Sequence, residues 1–162
     1  MKPSELLSLL REFYTEKATL RQRHAAGARF VSNYDFNNTY QYVINREDVQ
    51  LSWVRDAIED LGGNVDEAAE PRLNPPGKGE EAQKAIIRED RDGAQAFVDR
   101  WRDRVEAITH ARNRTMLRVV LGETLEHKRF FDQAYAGRED LLGRRADGAG
   151  TPGVVLPTRW VE

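Results

Sequence analysis

Apolar residues recur along this chain at steps of three and four, the spacing that lines one face of an α-helix. Ser4 is placed as an N-cap, and Leu6, Leu9, Leu10, Phe13, Glu16 and Leu20 then share a face. This predicts a first helix from about Ser4 to Ala26. Asn33 to Asn38, rich in Asn and Asp, reads as a turn. A second helix is expected from about Asn38 to Leu61, stopped by Gly62-Gly63. The next stretch, Gly62 to Lys78, carries Pro71, Pro75, Pro76 and Gly77 with almost no core pattern, and is longer than the usual connection between neighbouring helices. From Glu80 a third stripe runs through Ala85, Ile86, Ile87, Ala94, Phe97, Val98, Trp101, Val105 and Ile108. A short connection at Ala111-Arg112-Asn113 leads to a fourth helix, roughly Arg114 to Ala136.

Two tightly joined antiparallel pairs with one long connection between them predict an all-α, four-helix bundle with a single long crossover between helices 2 and 3. The bundle is assigned to residues 1–136. Residues 137–162 contain Gly148, Gly150, Pro152, Gly153 and Pro157, and form a tail or strap that Val154, Val155, Leu156 and Trp160 could lay onto the bundle or a neighbouring subunit.

Several stripes are interrupted by polar groups in their middles. Val43, Glu47, Gln50, Val54 and Leu61 share one face, and Met116, Val120, Glu123, His127, Phe130 and Ala134 share another. Glu16 falls between Phe13 and Leu20 on the first helix. An ionised carboxylate buried without a partner is very costly, so acids at one level call for a counter-charge. A metal cation or mutual hydrogen bonding would supply it. Carboxylates and imidazole without thiolates suit iron, manganese or zinc. His24 and His110 lie near predicted helix ends and read as surface or capping residues. Trp53, Trp101, Phe97, Phe130 and Phe131 read as core.

Composition narrows the function classes. The 162 residues suit one domain, and acids and bases nearly cancel at net charge −2, so no global field draws the chain to nucleic acid or an anionic membrane. The absence of cysteine excludes disulfides, zinc–thiolate sites, iron–sulfur clusters and thiol nucleophiles. No apolar run is long enough to span a membrane, and Met1-Lys2-Pro3-Ser4-Glu5 opens directly into an amphipathic pattern, so a cytoplasmic protein is expected.

The helix order, the long crossover and two local patterns resemble the ferritin-like superfamily, particularly bacterioferritin- and rubrerythrin-like bundles, over roughly Ser4 to Ala136. In that family the second helix reads Glu-x-x-His, and Glu47, Gln50 and Leu61-Gly62-Gly63 look like its counterparts, with Gln50 in place of histidine. The third-helix glutamate falls at Ala94, and the fourth-helix pair at Thr124 and His127. The resemblance implies a degenerate di-metal site in a bacterial protein. Glu16, Glu47, Glu123 and His127 would be the surviving ligands, with Gln50 and Thr124 hydrogen-bonding around them; Glu126 and Asp99 are further acids an altered register could bring inward. Bound iron would then imply iron handling or oxygen or peroxide chemistry. The competing expectation is a metal-free bundle serving as a structural or binding module, its interior polar groups acting as a register device. A homodimer through exposed apolar helix faces is a third arrangement.

Overall fold

The computed structural model describes residues 1–138 and Leu141. Four helices account for most of them: α1 (Pro3–Ala28), α2 (Tyr34–Asp60), α3 (Glu80–Glu106) and α4 (Ala111–Tyr135). Among the described residues there is no strand, and no helix is long and apolar enough to cross a membrane. The strap expected from Val154, Val155, Leu156 and Trp160 lies outside the described residues.

Helix α3 starts at Glu80 as expected, while the other three starts differ from the sequence reading, and in each case a cap explains why. α1 begins at Pro3, whose missing N–H costs nothing in the first turn, and the Glu5 carboxylate accepts the Lys2 backbone N–H at 2.8 Å. Lys2, not Ser4, is the N-cap. The stretch read as a turn is mostly helix. Asn33 caps α2 by accepting the Phe36 N–H at 3.1 Å, so the helix starts four residues early and delivers Phe36 and Tyr40 to the core. Asn37 completes the corner by donating to the carbonyls of Ala28 and Val31 at 3.1 and 3.3 Å, satisfying the orphan end of α1. At α4, His110 is the N-cap and accepts from the Asn113 N–H, so Ala111-Arg112-Asn113 form the first helical turn. The predicted stop at Gly62-Gly63 is where α2 ends. Gly62 takes φ +82°, a conformation glycine adopts freely, and Gly63 N–H returns to the Ile58 carbonyl at 3.0 Å.

Ion pairs across the seams fix the helix directions. Arg104 meets Glu12 while Arg23 meets Glu89, so α1 and α3 are antiparallel. Arg21 meets Asp48 while Arg55 donates to Tyr14, which makes α1 and α2 antiparallel too. Arg118 with Glu106, and Arg91 with Asp132, do the same for α3 and α4. Helix α1 packs on α2 and α3, and α4 packs on the same two, leaving α2 and α3 on a diagonal and parallel. Parallel neighbours in sequence require a connection as long as the bundle. The chain from 61 to 79 provides it and climbs along α1: Val65 lies by Tyr14 and Thr15, the Ala68 carbonyl accepts from Gln22 at 2.6 Å, and Glu70 pairs with Arg29. The result is a four-helix bundle with one long crossover.

The core has two apolar halves. Phe13, Phe97, Trp101, Leu10, Ile58 and Leu117 anchor the lower one, with Phe13 edge-on to Trp101 at 4.9 Å between ring centroids. Tyr40, Val43, Ile86, Ile87, Phe131 and Leu141 make up the upper one. At the top, α1 and α3 approach so closely that a Cβ on Gly27 would stand 2.9 Å from the Ile86 side chain. Between the two apolar halves lies a layer of buried polar side chains.

Candidate functional site

Lys17 organises this layer. It is 1% exposed, and its ammonium lies 3.0 Å from Glu47 Oε2 on α2 and donates to Thr124 Oγ1 on α4 at 3.0 Å. The same nitrogen stands 5.5 Å from the centre of the Phe97 ring on α3. One α1 side chain therefore reaches all three other helices. Thr124 can accept from the ammonium because its own proton goes to the Val120 carbonyl at 2.8 Å.

Glu47 is flanked by a second donor. His24 Nδ1 lies 2.5 Å from Glu47 Oε1, and since an ionised carboxylate can only accept, the imidazole donates. Burial by itself would raise the Glu47 pKa, but His24 and then Lys17 outweigh it and hold the carboxyl down at about 2. Burial also disfavours a charged His24, yet Glu47 and, more weakly, Asp90 hold its pKa above the ordinary value. An ammonium and an imidazole bracket one carboxylate.

A second acid extends the layer onto α3. Asp90 accepts from the Tyr40 hydroxyl at 2.6 Å, and its other oxygen lies 3.3 Å from Arg23 Nε and 4.0 Å from His24 Nε2. Burial pushes the Asp90 pKa up despite these neighbours. Burial and then Asp90 keep the Tyr40 hydroxyl protonated far above its usual range. Tyr40→Phe removes the donor while leaving the acid buried, so it should cost about 1–3 kcal/mol in urea unfolding at pH 7. A loss within experimental error would mean that solvent reaches Asp90.

His127, on α4, is the opposite of His24. It is 2% exposed, its Nδ1 has no hydrogen-bond partner among the described residues, and burial together with the nearby Lys17 ammonium pushes its pKa down to about 3. It is therefore a neutral imidazole, packed edge-on to Tyr42 and stacked with Phe130, with ring centroids 6.3 Å away in each case. Gln50 Oε1 and His24 Nε2 are likewise buried with no hydrogen-bond partner among the described residues.

The residues expected at a metal do not come together as a set. Glu47 and His127 lie in the layer, and Thr124 joins it through Lys17. Glu123 sits at its edge toward solvent, accepting from Gln50 and from Arg46, the latter at 2.5 Å. Glu16 is elsewhere, on the outer α1/α3 seam, accepting from Trp101 Nε1 at 2.9 Å and from Arg100 at 2.6 Å. Asp99 accepts from Gln95 on the exposed side of α3, and Glu126 is exposed. Ala94 is buried and contributes only packing. The reading of His24 as a surface or capping residue is corrected: it is at the heart of the layer, whereas His110 does cap a helix.

Three members of the layer escaped the sequence reading: Lys17, His24 and Asp90. Each had a signal. Lys17 and His24 stand four and eleven residues after the buried Phe13, on its face, and Asp90 falls midway between the buried Ile86 and Ala94.

A metal fits this donor set poorly. The place where a cation would balance Glu47 is taken by an ammonium and an imidazole, and Glu123 already has a guanidinium. Among the described residues no group of three or more His, Asp or Glu side chains is placed to hold a metal ion. Comparison with protein-family models, with curated proteins and with solved structures found no match.

Proposed function

We propose that this chain is a ferritin-like bundle in which the interior cation is part of the polypeptide, and that it works as a metal-free structural or binding module. The observation that carries this reading is the Lys17 ammonium, 3.0 Å from Glu47 and in contact with all three other helices. Buried carboxylates need a counter-charge, and a lysine supplies one that is covalently attached. Bundle topology and crossover support the ferritin-like ancestry. The network's value is then specificity: one register of α1, α2 and α4 brings Lys17, Glu47, His24 and Thr124 together, much as a lone polar residue fixes coiled-coil register.

The competing reading keeps Glu47, His127 and Glu123 as remnants of an iron, manganese or zinc site. What favours it is the neutral, buried imidazole of His127, its Nδ1 unpartnered among the described residues. Elemental analysis after incubation with Fe(II), Mn(II) or Zn(II) and desalting separates the two. The metal-free reading expects substoichiometric metal that His127→Ala does not change. Stoichiometric metal lost in His127→Ala would establish the competing one.

A further inference from the structure

The face formed by α2 and α4 differs from the other seams. Of the five exposed large hydrophobic residues described, Tyr42, Val49 and Val119 lie on it, at 38%, 38% and 45% exposure. Near the N-terminal end of α4 it opens into a groove of about 460 Å³, floored by Trp53, Ala57 and Met116. The groove's acids, Asp56 and Asp60, stand on the α2 side and its Arg112 on the α4 side. None of the three forms an ion pair with a described residue, although arginines on the other seams are bridged across helices.

We propose that this face binds a second copy of the chain, related by a two-fold axis parallel to the helices. Charge and height are complementary across such an axis. Such an axis sets α2 of one copy opposite α4 of the other without changing level along the bundle. Helices α2 and α4 run antiparallel here, with Arg46 and Gln50 beside Glu123 and Tyr42 beside Phe130. Continuing that register down the seam puts Arg112 between the levels of Asp56 and Asp60, and Val49 close to the level of Val119. The rotation therefore lays Arg112 of each copy over the acidic pair of the other, twice, and buries the two valines against each other. The intramolecular Arg46–Glu123 pair stays near the centre. An association of this kind has an apolar floor and a charged rim that selects the parallel arrangement over the reversed one. It stands whether or not the interior binds metal.

Sedimentation velocity or light scattering on the full chain, from low to high micromolar concentration, tests it. A concentration-dependent dimer is expected. Val119→Glu, at an exposed position, should weaken it by more than about tenfold with the helical circular dichroism unchanged. Arg112→Glu should weaken it as well. Combining Arg112→Glu with Asp56→Lys and Asp60→Lys should restore it, because the reversed charges meet again across the axis. A monomer at every concentration overturns the proposal and leaves the groove to residues 142–162 or to another protein. A dimer insensitive to Val119→Glu, or one the triple variant fails to restore, overturns it too.

Discussion

Glu47→Leu is expected to lower the unfolding free energy at pH 7 by about 3–5 kcal/mol, the cost of leaving buried charge without its partner. The size follows from what the carboxylate holds. Lys17 is 3.0 Å from one oxygen and His24 2.5 Å from the other, and all three side chains are at most 2% exposed. Leucine preserves most of the volume, so a large loss cannot be assigned to a cavity. Among the described residues, Thr124 would remain Lys17's only hydrogen-bond acceptor, and His24 would keep only Asp90, 4.0 Å from its far nitrogen. Urea unfolding with an unchanged m-value is the measurement, since a constant m shows that the surface exposed on unfolding is the same. A loss below about 1 kcal/mol, typical of an exposed ion pair, would mean that water already screens the layer.

The second large effect is a fall in stability on acidification, led by His127. Its folded pKa lies near 3, against 6.5 for a free imidazole, so below 6.5 the unfolded chain binds a proton that the folded chain refuses. The associated stability is complete above pH 6.5 and is lost as pH falls toward 3, at about 1.4 kcal/mol per pH unit. Between pH 6.5 and 4.5 a loss of about 3 kcal/mol is expected from this group. Glu47, held near 2 against an ordinary 4.5, adds a second decline below pH 4.5. His24 acts in the other direction. Its pKa is raised, so its contribution is complete below 6.5 and fades as pH rises through the folded value. Asp90, also raised, partly offsets the acid decline. The interior is thus most stabilising near pH 6.5. His127→Gln should flatten the limb between pH 6.5 and 4.5 while leaving the decline below 4.5 in place. An unchanged slope would show that His127 is not held neutral.

The bundle was legible in the sequence because helices announce themselves through period, and all four stripes carry it. The crossover was legible for a similar reason, since Gly62 to Lys78 lacks any stripe. Helix starts were less so. Asn33 to Asn38 has a turn's composition, and only the Asn33 cap and the core positions of Phe36 and Tyr40 make it helical. At the site the reading slipped by one residue on α1. Stepping three from Phe13 selects Glu16, whereas stepping four selects Lys17, and one residue rotates a side chain by about 100° around the helix. That rotation separates a carboxylate on the outer seam, beside Arg100, from an ammonium in the core. Chemical expectation favoured the acid, because lysine is almost never fully buried unless it is paired. Its partner lies 30 residues away on another helix, which local pattern does not reveal. Glu47, Thr124 and His127 were picked out correctly as buried polar positions, but the identity of their counter-charge depended on Lys17.

A double-mutant cycle between Lys17 and Glu47 tests most directly whether the interior charge is balanced by the chain itself. Unfolding free energies at pH 7 would be measured for the parent, Lys17→Met, Glu47→Leu and the double variant. The account predicts a coupling above about 2 kcal/mol, with the double variant losing much less than the two single losses added together. Single losses that add to within about 0.5 kcal/mol would contradict it.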